Sequence, residues 1–481
     1  MTSSAMGKVT GFLEFDRSGP RYRPVPVRLR DWREVYEPQS DDELSQQGAR
    51  CMDCGIPFCM QGCPLGNRIP VFNDGVFKHQ WERAASQLFA TNNFPEFTGR
   101  LCPAPCESAC VLAISAQAVT IERLEYEVAE HAFALGLAVS AVSAPESGRR
   151  VAVVGSGPAG LAVAAQLRSV GHAVSVYERS DQIGGLLRYG IPEFKMEKRI
   201  LDRRLDVMRA SGIKFYTNVT IGAGGTPLRD LQRNHDAVIL ALGATRPRLI
   251  PVPGADLGGV YPAMTYLEAS NRAVNAHETS PINAAGQHVV ILGGGDTGAD
   301  CLGTAHRQGA LSVHQIEIMD RPPDERPADQ PWPTMARLFK TTSAHEEGGQ
   351  RQFSTETLAF LGDDHVRSIK LRDHANDQLV ELPADLVLIA AGFLGPELAG
   401  LELDGAPYVT ARSSLAVNDQ WRLASYPGET PVFACGDAVR GQSLIVWAIA
   451  EGRSCAAAVD AHLRGETTTL PAPVSPYEVS W

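Results

Sequence analysis

Long hydrophobic runs are missing from this 481-residue sequence. No uncharged apolar stretch approaches the ~20 residues that span a bilayer. The longest candidate, residues 134–145, is short and rich in Ala and Ser. Residues 1–14 lack a basic segment followed by an apolar core, so no secretory leader is legible. Basic charge is short as well: Lys+Arg 44 against Asp+Glu 55 leaves a formal net charge of −11. That balance disfavours a non-specific nucleic-acid binder, because phosphate binding needs a basic surface. The expectation is a soluble, cytoplasmic protein with neither a membrane nor a nucleic acid as partner. Disorder over most of the chain is excluded too, since hydrophobic residues make up 44% and charged residues 21%. The length exceeds one core and suits two to four domains at ~100–200 residues each.

Cysteine is sparse except in one place. Only Cys301, Cys435 and Cys455 lie outside the segment from Cys51 to Cys110, which holds the other seven. In a reducing compartment, clustered cysteines are metal ligands more often than disulfides. The same region carries proline breaks and helical stretches at 81–92 and 120–137. Ser40-Asp41-Asp42-Glu43 is a capping-box pattern, expected to start the helix that delivers Cys51. Residues 140–150, small and broken by Pro and Gly, read as a linker.

Beyond the linker one pattern occurs twice. Residues 151–154 form a short apolar strand running into Gly155-Ser156-Gly157-Pro158-Ala159-Gly160 and an Ala-rich helix. Residues 288–292 run likewise into Gly293-Gly294-Gly295-Asp296-Thr297-Gly298 and another helix. Two strand–glycine-loop–helix units predict two parallel-sheet nucleotide domains. In the first, a second strand (173–177) ends at Glu178, where an acid accepts hydrogen bonds from ribose hydroxyls. The glycines let backbone approach a pyrophosphate on the helix N-terminus. Three more signals favour FAD here. Ile183-Gly184-Gly185-Leu186-Leu187 is a second close backbone approach. An apolar strand at 238–244 ends in small residues including Gly243. Gly436-Asp437 puts an acid at a strand end, suited to ribityl hydroxyls. Val219 is counted with these flavin contacts.

This combination resembles the two-dinucleotide-binding-domain flavoprotein family. The resemblance implies that the second glycine-loop domain is inserted within the first and binds NAD(P)H, with Ala390-Ala391-Gly392-Phe393 as its exit crossover. The strand read at 313–319 ends at Asp320-Arg321. An acid there suits NADH and arginine suits a 2′-phosphate. Arg321 and Arg326 are expected to clamp that phosphate, which favours NADPH, with NADH the alternative. Cys301 and Cys435 have no C-x-x-C partner, which rules out a dithiol of the thioredoxin-reductase type. The proline-rich segment 321–333 reads as an ordered surface loop, with a disordered insert as the alternative.

The cysteines stand as Cys51-x₂-Cys54-x₄-Cys59-x₃-Cys63-Pro64 and Cys102-x₃-Cys106-x₃-Cys110. Short turns of thiolates suit cubane iron–sulfur clusters, and a final Cys-Pro often serves the other cluster of a pair. Structural zinc would want C-x₂-C pairs, often with His, and fits poorly. Two [4Fe–4S] clusters need eight ligands, one more than the cysteines supply.

The cysteine pattern followed by FAD and NADPH units resembles the small (β) subunit family of the bacterial NADPH-dependent glutamate synthases over nearly the whole chain. Pro322-Pro323-Asp324-Glu325-Arg326-Pro327-Ala328-Asp329 and Trp332-Pro333 are particular to that branch. The N-terminal half of dihydropyrimidine dehydrogenase is similar as well. The resemblance implies that Cys51, Cys54, Cys59 and Cys110 hold one cluster, and Cys63, Cys102, Cys106 and an eighth ligand the other. In the dehydrogenase a glutamine fills the eighth place; here the position falls on Glu125, with Glu122 the runner-up. Lys195 matches a basic residue near the flavin. The chain shows no amidotransferase segment and no FMN barrel, so the resemblance also implies a large (α) subunit as partner. A stand-alone NAD(P)H:acceptor oxidoreductase of the ferredoxin type is the alternative. An assembly subunit that merely holds cofactors is opposed by the intact second glycine loop. The predicted architecture is α/β: a helical iron–sulfur domain (1–146), an FAD-binding domain (147–284 and 396–481) and an inserted NADPH-binding domain (285–395).

Overall fold

A computed structural model describes residues 8, 10–138, 144–403, 405, 407–424 and 426–476. The first residues of the linker read at 140–150 lie outside that set. No helix among the described residues is long and apolar enough to cross a membrane.

The N-terminal unit is helical. Ser40 caps the helix Asp41–Ala49: its hydroxyl accepts from the Glu43 N–H at 3.3 Å, and the Glu43 carboxylate accepts from the Ser40 N–H at 2.8 Å. This reciprocal cap satisfies two otherwise unpaired donors. The helices Ile69–Phe77, Trp81–Phe89, Pro95–Leu101 and Ile121–Ala134 bury Phe72, Leu88, Phe97 and Leu124 in one core. Gly99 lets two of these helices touch, since a Cβ there would lie 2.6 Å from the Tyr126 backbone.

A five-stranded parallel sheet follows, in the order Val432–Ala434, Ala237–Leu240, Arg150–Val154, Ala173–Tyr177, Lys214–Tyr216. One edge strand therefore comes from the far end of the chain, so the intervening unit is an insertion. That unit has its own parallel sheet, ordered Val260–Pro262, Leu386–Ile389, His288–Leu292, Ser312–Ile316, Gln350–Gln352. An antiparallel three-stranded sheet of Thr355–Gly362, Val366–Asp373 and Gln378–Pro383 covers it. The antiparallel ribbon Arg246–Pro247 with Phe393–Gly395 marks where the chain crosses in and out.

The expected boundary at 285 needs correction. Val260–Pro262 pairs with Leu386–Ile389, and the helix Ala263–Ala276 docks on Asp296–Gln308 through Tyr266, whose hydroxyl bonds Gln308 at 2.9 Å. The second unit thus starts near the ribbon at 246–247. A three-residue strand ending in Pro262 carries too little periodicity to be read in advance.

Candidate redox centre

The first glycine loop is shaped by close backbone contact. Gly155 has φ 99°, and a Cβ on it would lie 2.3 Å from the Ala241 carbonyl oxygen; one on Gly160 would lie 2.1 Å from the Gly155 oxygen. Only glycine meets both conditions, and the N-terminus of Pro158–Ser169, with Gly157 as its cap and Ala159 in its first turn, is left open to an anion. Glu178 follows the paired residues Val154 and Tyr177 and turns into the loop. It accepts from the Ser156 N–H at 3.1 Å and the Ser156 hydroxyl at 2.5 Å. The same hydroxyl accepts from the Gly184 N–H at 2.9 Å, and Gly185 packs on Gly157, with Leu186 opening the next short helix. Val219 donates its N–H to the Glu178 carbonyl at 2.9 Å. Gly243, at φ 70°, lies three residues past the end of Ala237–Leu240.

Gly436 brings the C-terminal acid to this loop, for a Cβ there would press on Ala159. Asp437 accepts from the Ser443 hydroxyl at 2.6 Å, and burial pushes its carboxyl up to about 6. Behind it stands Glu451, fully buried on Ile445–Arg464. It accepts from the Gly436 N–H at 2.9 Å and from Arg440, and burial pushes it up to about 7. Glu451 carries no distinguishing signal in the sequence, since the same helix also holds Arg453, Asp460 and Arg464.

The second loop repeats the geometry. Gly293 has φ 128°, and its Cβ would lie 2.3 Å from the Ala390 carbonyl oxygen. Gly295 caps Asp296–Gln308, placing Asp296 and Thr297 in the first turn; Gly392 has φ 84° beside Gln442. The acid at the strand end is Glu317, not Asp320. Leu292 pairs with Ile316, so Glu317 faces the loop as Glu178 does in the first unit, accepting from the Gly294 N–H at 2.7 Å and the Met319 N–H at 2.9 Å. Asp320 instead takes the Ser354 hydroxyl at 2.6 Å. The expected pair of arginines does not form a clamp. Arg321 is exposed, pairs with Asp324 at 2.7 Å and lies over the Phe339 ring. Arg326 points away, donating to the carbonyls of Gln330 at 3.0 Å, Thr334 at 2.6 Å and Ser108 at 3.3 Å. Its donors are committed to backbone, which a sequence cannot disclose.

Lys195 joins the two units. Its ammonium lies 2.9 Å from Asp300 on Asp296–Gln308. Burial opposes its charge, and Asp300 with Asp296 more than offset that, holding it above its ordinary value.

All seven clustered thiols are free, and they gather in two groups. Cys51, Cys54, Cys59 and Cys110 line one narrow cavity with Phe58 and Asn73. Cys63, Cys102, Cys106 and Glu125 lie within electrostatic reach of one another. Burial pushes Cys51 up to about 11 and Cys63 up to about 12, so these thiols are costly to ionise without a bound cation. No three His, Cys, Asp or Glu side chains among the described residues converge on a single ion. A four-iron cube holds its thiolates farther apart than one ion does, and this donor set fits it. Glu125 accepts from Asn67 at 3.0 Å, Asn92 at 3.1 Å and the Thr98 hydroxyl; burial pushes it up to about 7. Glu122, one turn earlier, is driven well above the carboxylate range by burial and lies beside Cys102.

Residues 28–137 match the family described as dihydropyrimidine dehydrogenase domain II, 4Fe-4S cluster, and residues 149–452 match pyridine nucleotide-disulphide oxidoreductase. FprA of Mycobacterium tuberculosis, solved in complex with NADPH, shares the fold at TM-score 0.50 and 20% identity, over 68% of this chain and 88% of that one. The glutamate synthase [NADPH] small chain of Bacillus subtilis is 42% identical over 96% of this chain and 99% of its own. A glutamate synthase [NADH] of Saccharomyces cerevisiae is also 42% identical, over 98% of this chain but 23% of its own. With 54% identity to the Mycobacterium tuberculosis glutamate synthase [NADPH] small chain, over 97% of this chain and 98% of that one, the chain belongs to the glutamate synthase small-chain family.

Proposed function

We propose that the chain is the electron-input subunit of a glutamate synthase. It oxidises NADPH and delivers the electrons to a large (α) subunit, which makes L-glutamate from L-glutamine and 2-oxoglutarate. The observation that carries this reading is the convergence of two glycine-loop units, joined by Lys195 and Asp300, with two cysteine groups that have cluster-type donor sets. When bound, FAD supplies the change from two-electron to one-electron chemistry, and two [4Fe–4S] clusters the one-electron steps. The loop Gly155–Gly160 would hold the flavin pyrophosphate, Glu178 the adenosine ribose and Asp437 the ribityl chain. Cys51, Cys54, Cys59 and Cys110 would hold one cluster, and Cys63, Cys102, Cys106 and Glu125 the other. The designation of the bacterial relatives as small chains supports a separate large partner; in the fungal relative the matched region is part of one longer polypeptide. The purified chain should reduce a dye with NADPH and should make glutamate only with the large subunit added. Failure of either arm overturns the reading.

Glu178→Ala should lower FAD retention on dilution, read as the ratio of flavin to protein absorbance. Unchanged stoichiometric FAD would show that this acid is no significant contact. Coenzyme choice falls to Arg321. Two backbone N–H groups already hold the Glu317 carboxylate, and the exposed Arg321–Asp324 pair exchanges at little cost. Losing a charged hydrogen-bond donor costs about 1.5–3 kcal/mol, so Arg321→Ala should weaken NADP⁺ binding about tenfold or more and spare NAD⁺. Equal losses in calorimetric Kd for the two nucleotides would sink this assignment.

A further inference from the structure

Beyond Arg321, the proline-rich segment at 321–339 has no part in the function above, yet it reaches from the second glycine loop to both cysteine groups. It leaves the strand Ser312–Ile316 just past Glu317 and folds on itself: the Phe339 N–H bonds the Pro323 carbonyl at 2.8 Å, and the Arg337 N–H bonds Gln330 at 2.6 Å. It then crosses to the helical unit. Arg326 donates to the Ser108 carbonyl, and the Trp332 indole N–H donates to the carbonyl of Cys110 at 3.3 Å. The Trp332 ring lies 4.6 Å from that of Phe58, the neighbour of Cys59. Pro333 and Met335 line a cavity of about 410 Å³ together with Cys63, Pro64 and Pro105.

We propose that Trp332 is the positioning residue of the Cys51–Cys54–Cys59–Cys110 group, a cover donated by the coenzyme unit that fixes the Cys110 backbone and keeps water from the cluster. The inference rests on the iron–sulfur reading of these cysteines. Cluster potential and lability follow from hydrogen bonds around the ligands and from solvent exposure. A reduced cluster carries one more negative charge, which water stabilises and an indole does not. Removing the cover therefore raises the potential and opens the iron to chelators.

The test uses the holoprotein with Trp332→Ala and Trp332→Phe, read by EPR-monitored redox titration and by the rate of cluster bleaching with EDTA in air. Trp332→Ala should bleach about tenfold faster or more, in line with the usual effect of removing a ligand's support, and its potential should rise. Trp332→Phe keeps a ring over Phe58 and loses the N–H, and should fall between. If Trp332→Ala is purified without iron and flavin, Arg326→Ala decides, since it loosens the same segment without touching the aromatic pair. Bleaching rates and potentials equal to wild type in every iron-loaded variant overturn the proposal while leaving the clusters in place. A wild-type chain that binds no iron overturns both.

Discussion

Replacing Glu125 with Ala should remove one cluster, and bound iron should fall from about eight atoms per chain to about four. The expectation starts from a count: seven clustered cysteines cannot fill eight ligand places. The geometry adds a mechanism. A carboxylate offers about four lone-pair sites. At Glu125, Oε1 accepts from Thr98 and Asn92, while Oε2 accepts from Asn67 alone. Three neutral donors thus hold a buried acid in place and leave Oε2 with a site to spare beside Cys63, Cys102 and Cys106. Truncation removes the ligand and also strands the buried Asn67 amide, at about 1–3 kcal/mol, while Asn92 keeps its 2.8 Å bond to the Thr98 hydroxyl. Glu122→Ala should leave iron content unchanged. The opposite pattern would move the ligand to Glu122, and full iron in both variants would refute a carboxylate ligand. Dye reduction by NADPH should survive in Glu125→Ala, because the flavin site does not include this residue. Glutamate formation with the large subunit should fail.

Which parts of this site were legible depends on how local their chemistry is. Gly155 and Gly293 announce themselves because their positions, at positive φ and within 2.3 Å of a carbonyl oxygen, admit no other side chain. Within each run the cysteine spacing is legible for the same reason, because short turns bring neighbouring thiols together, but joining Cys110 to Cys51–Cys59 and Cys63 to Cys102 and Cys106 takes the long-range fold. Glu317 was missed because its role depends on where a strand ends. The apolar pattern carries the strand to 319, whereas the sheet register stops at Ile316, which moves the facing acid by three residues. The surroundings of Arg326 are illegible for a different reason. A guanidinium binds any good acceptor within reach, and here the nearest are carbonyls of its own loop and of Ser108, more than 200 residues away in sequence. The boundary at 285 failed because Val260–Pro262 acquires its meaning only by pairing with Leu386–Ile389.

The same long-range logic gives a large expected effect on stability. Glu347, 0% exposed at its side chain, sits between Arg28 and Arg307, each 1% exposed. Arg28 Nε donates to Oε1 at 2.7 Å, and Arg307 donates to Oε2 at 2.6 Å and Oε1 at 2.9 Å. Arg28 also donates to the Ser343 carbonyl at 2.5 Å, and the Arg307 guanidinium lies over the Phe194 ring, next to Lys195. One carboxylate therefore ties the N-terminal segment to the coenzyme unit beside the flavin-side lysine. Glu347→Ala leaves Arg307 buried with no counter-charge and Arg28 with only the half-exposed Glu346 at 3.1 Å, and breaking a buried pair in this way costs about 3–5 kcal/mol. The urea midpoint of the holoprotein should fall accordingly. Glu347→Gln keeps the shape and some hydrogen bonds but not the charge, and should recover only a minor part. The triple replacement Arg28→Met, Glu347→Met, Arg307→Met should lie well above Glu347→Ala, because it removes all three charges and substitutes apolar volume. A midpoint for Glu347→Ala equal to wild type would mean that water reaches the two guanidinium groups, and the buried triad would then lose its place in holding the units together.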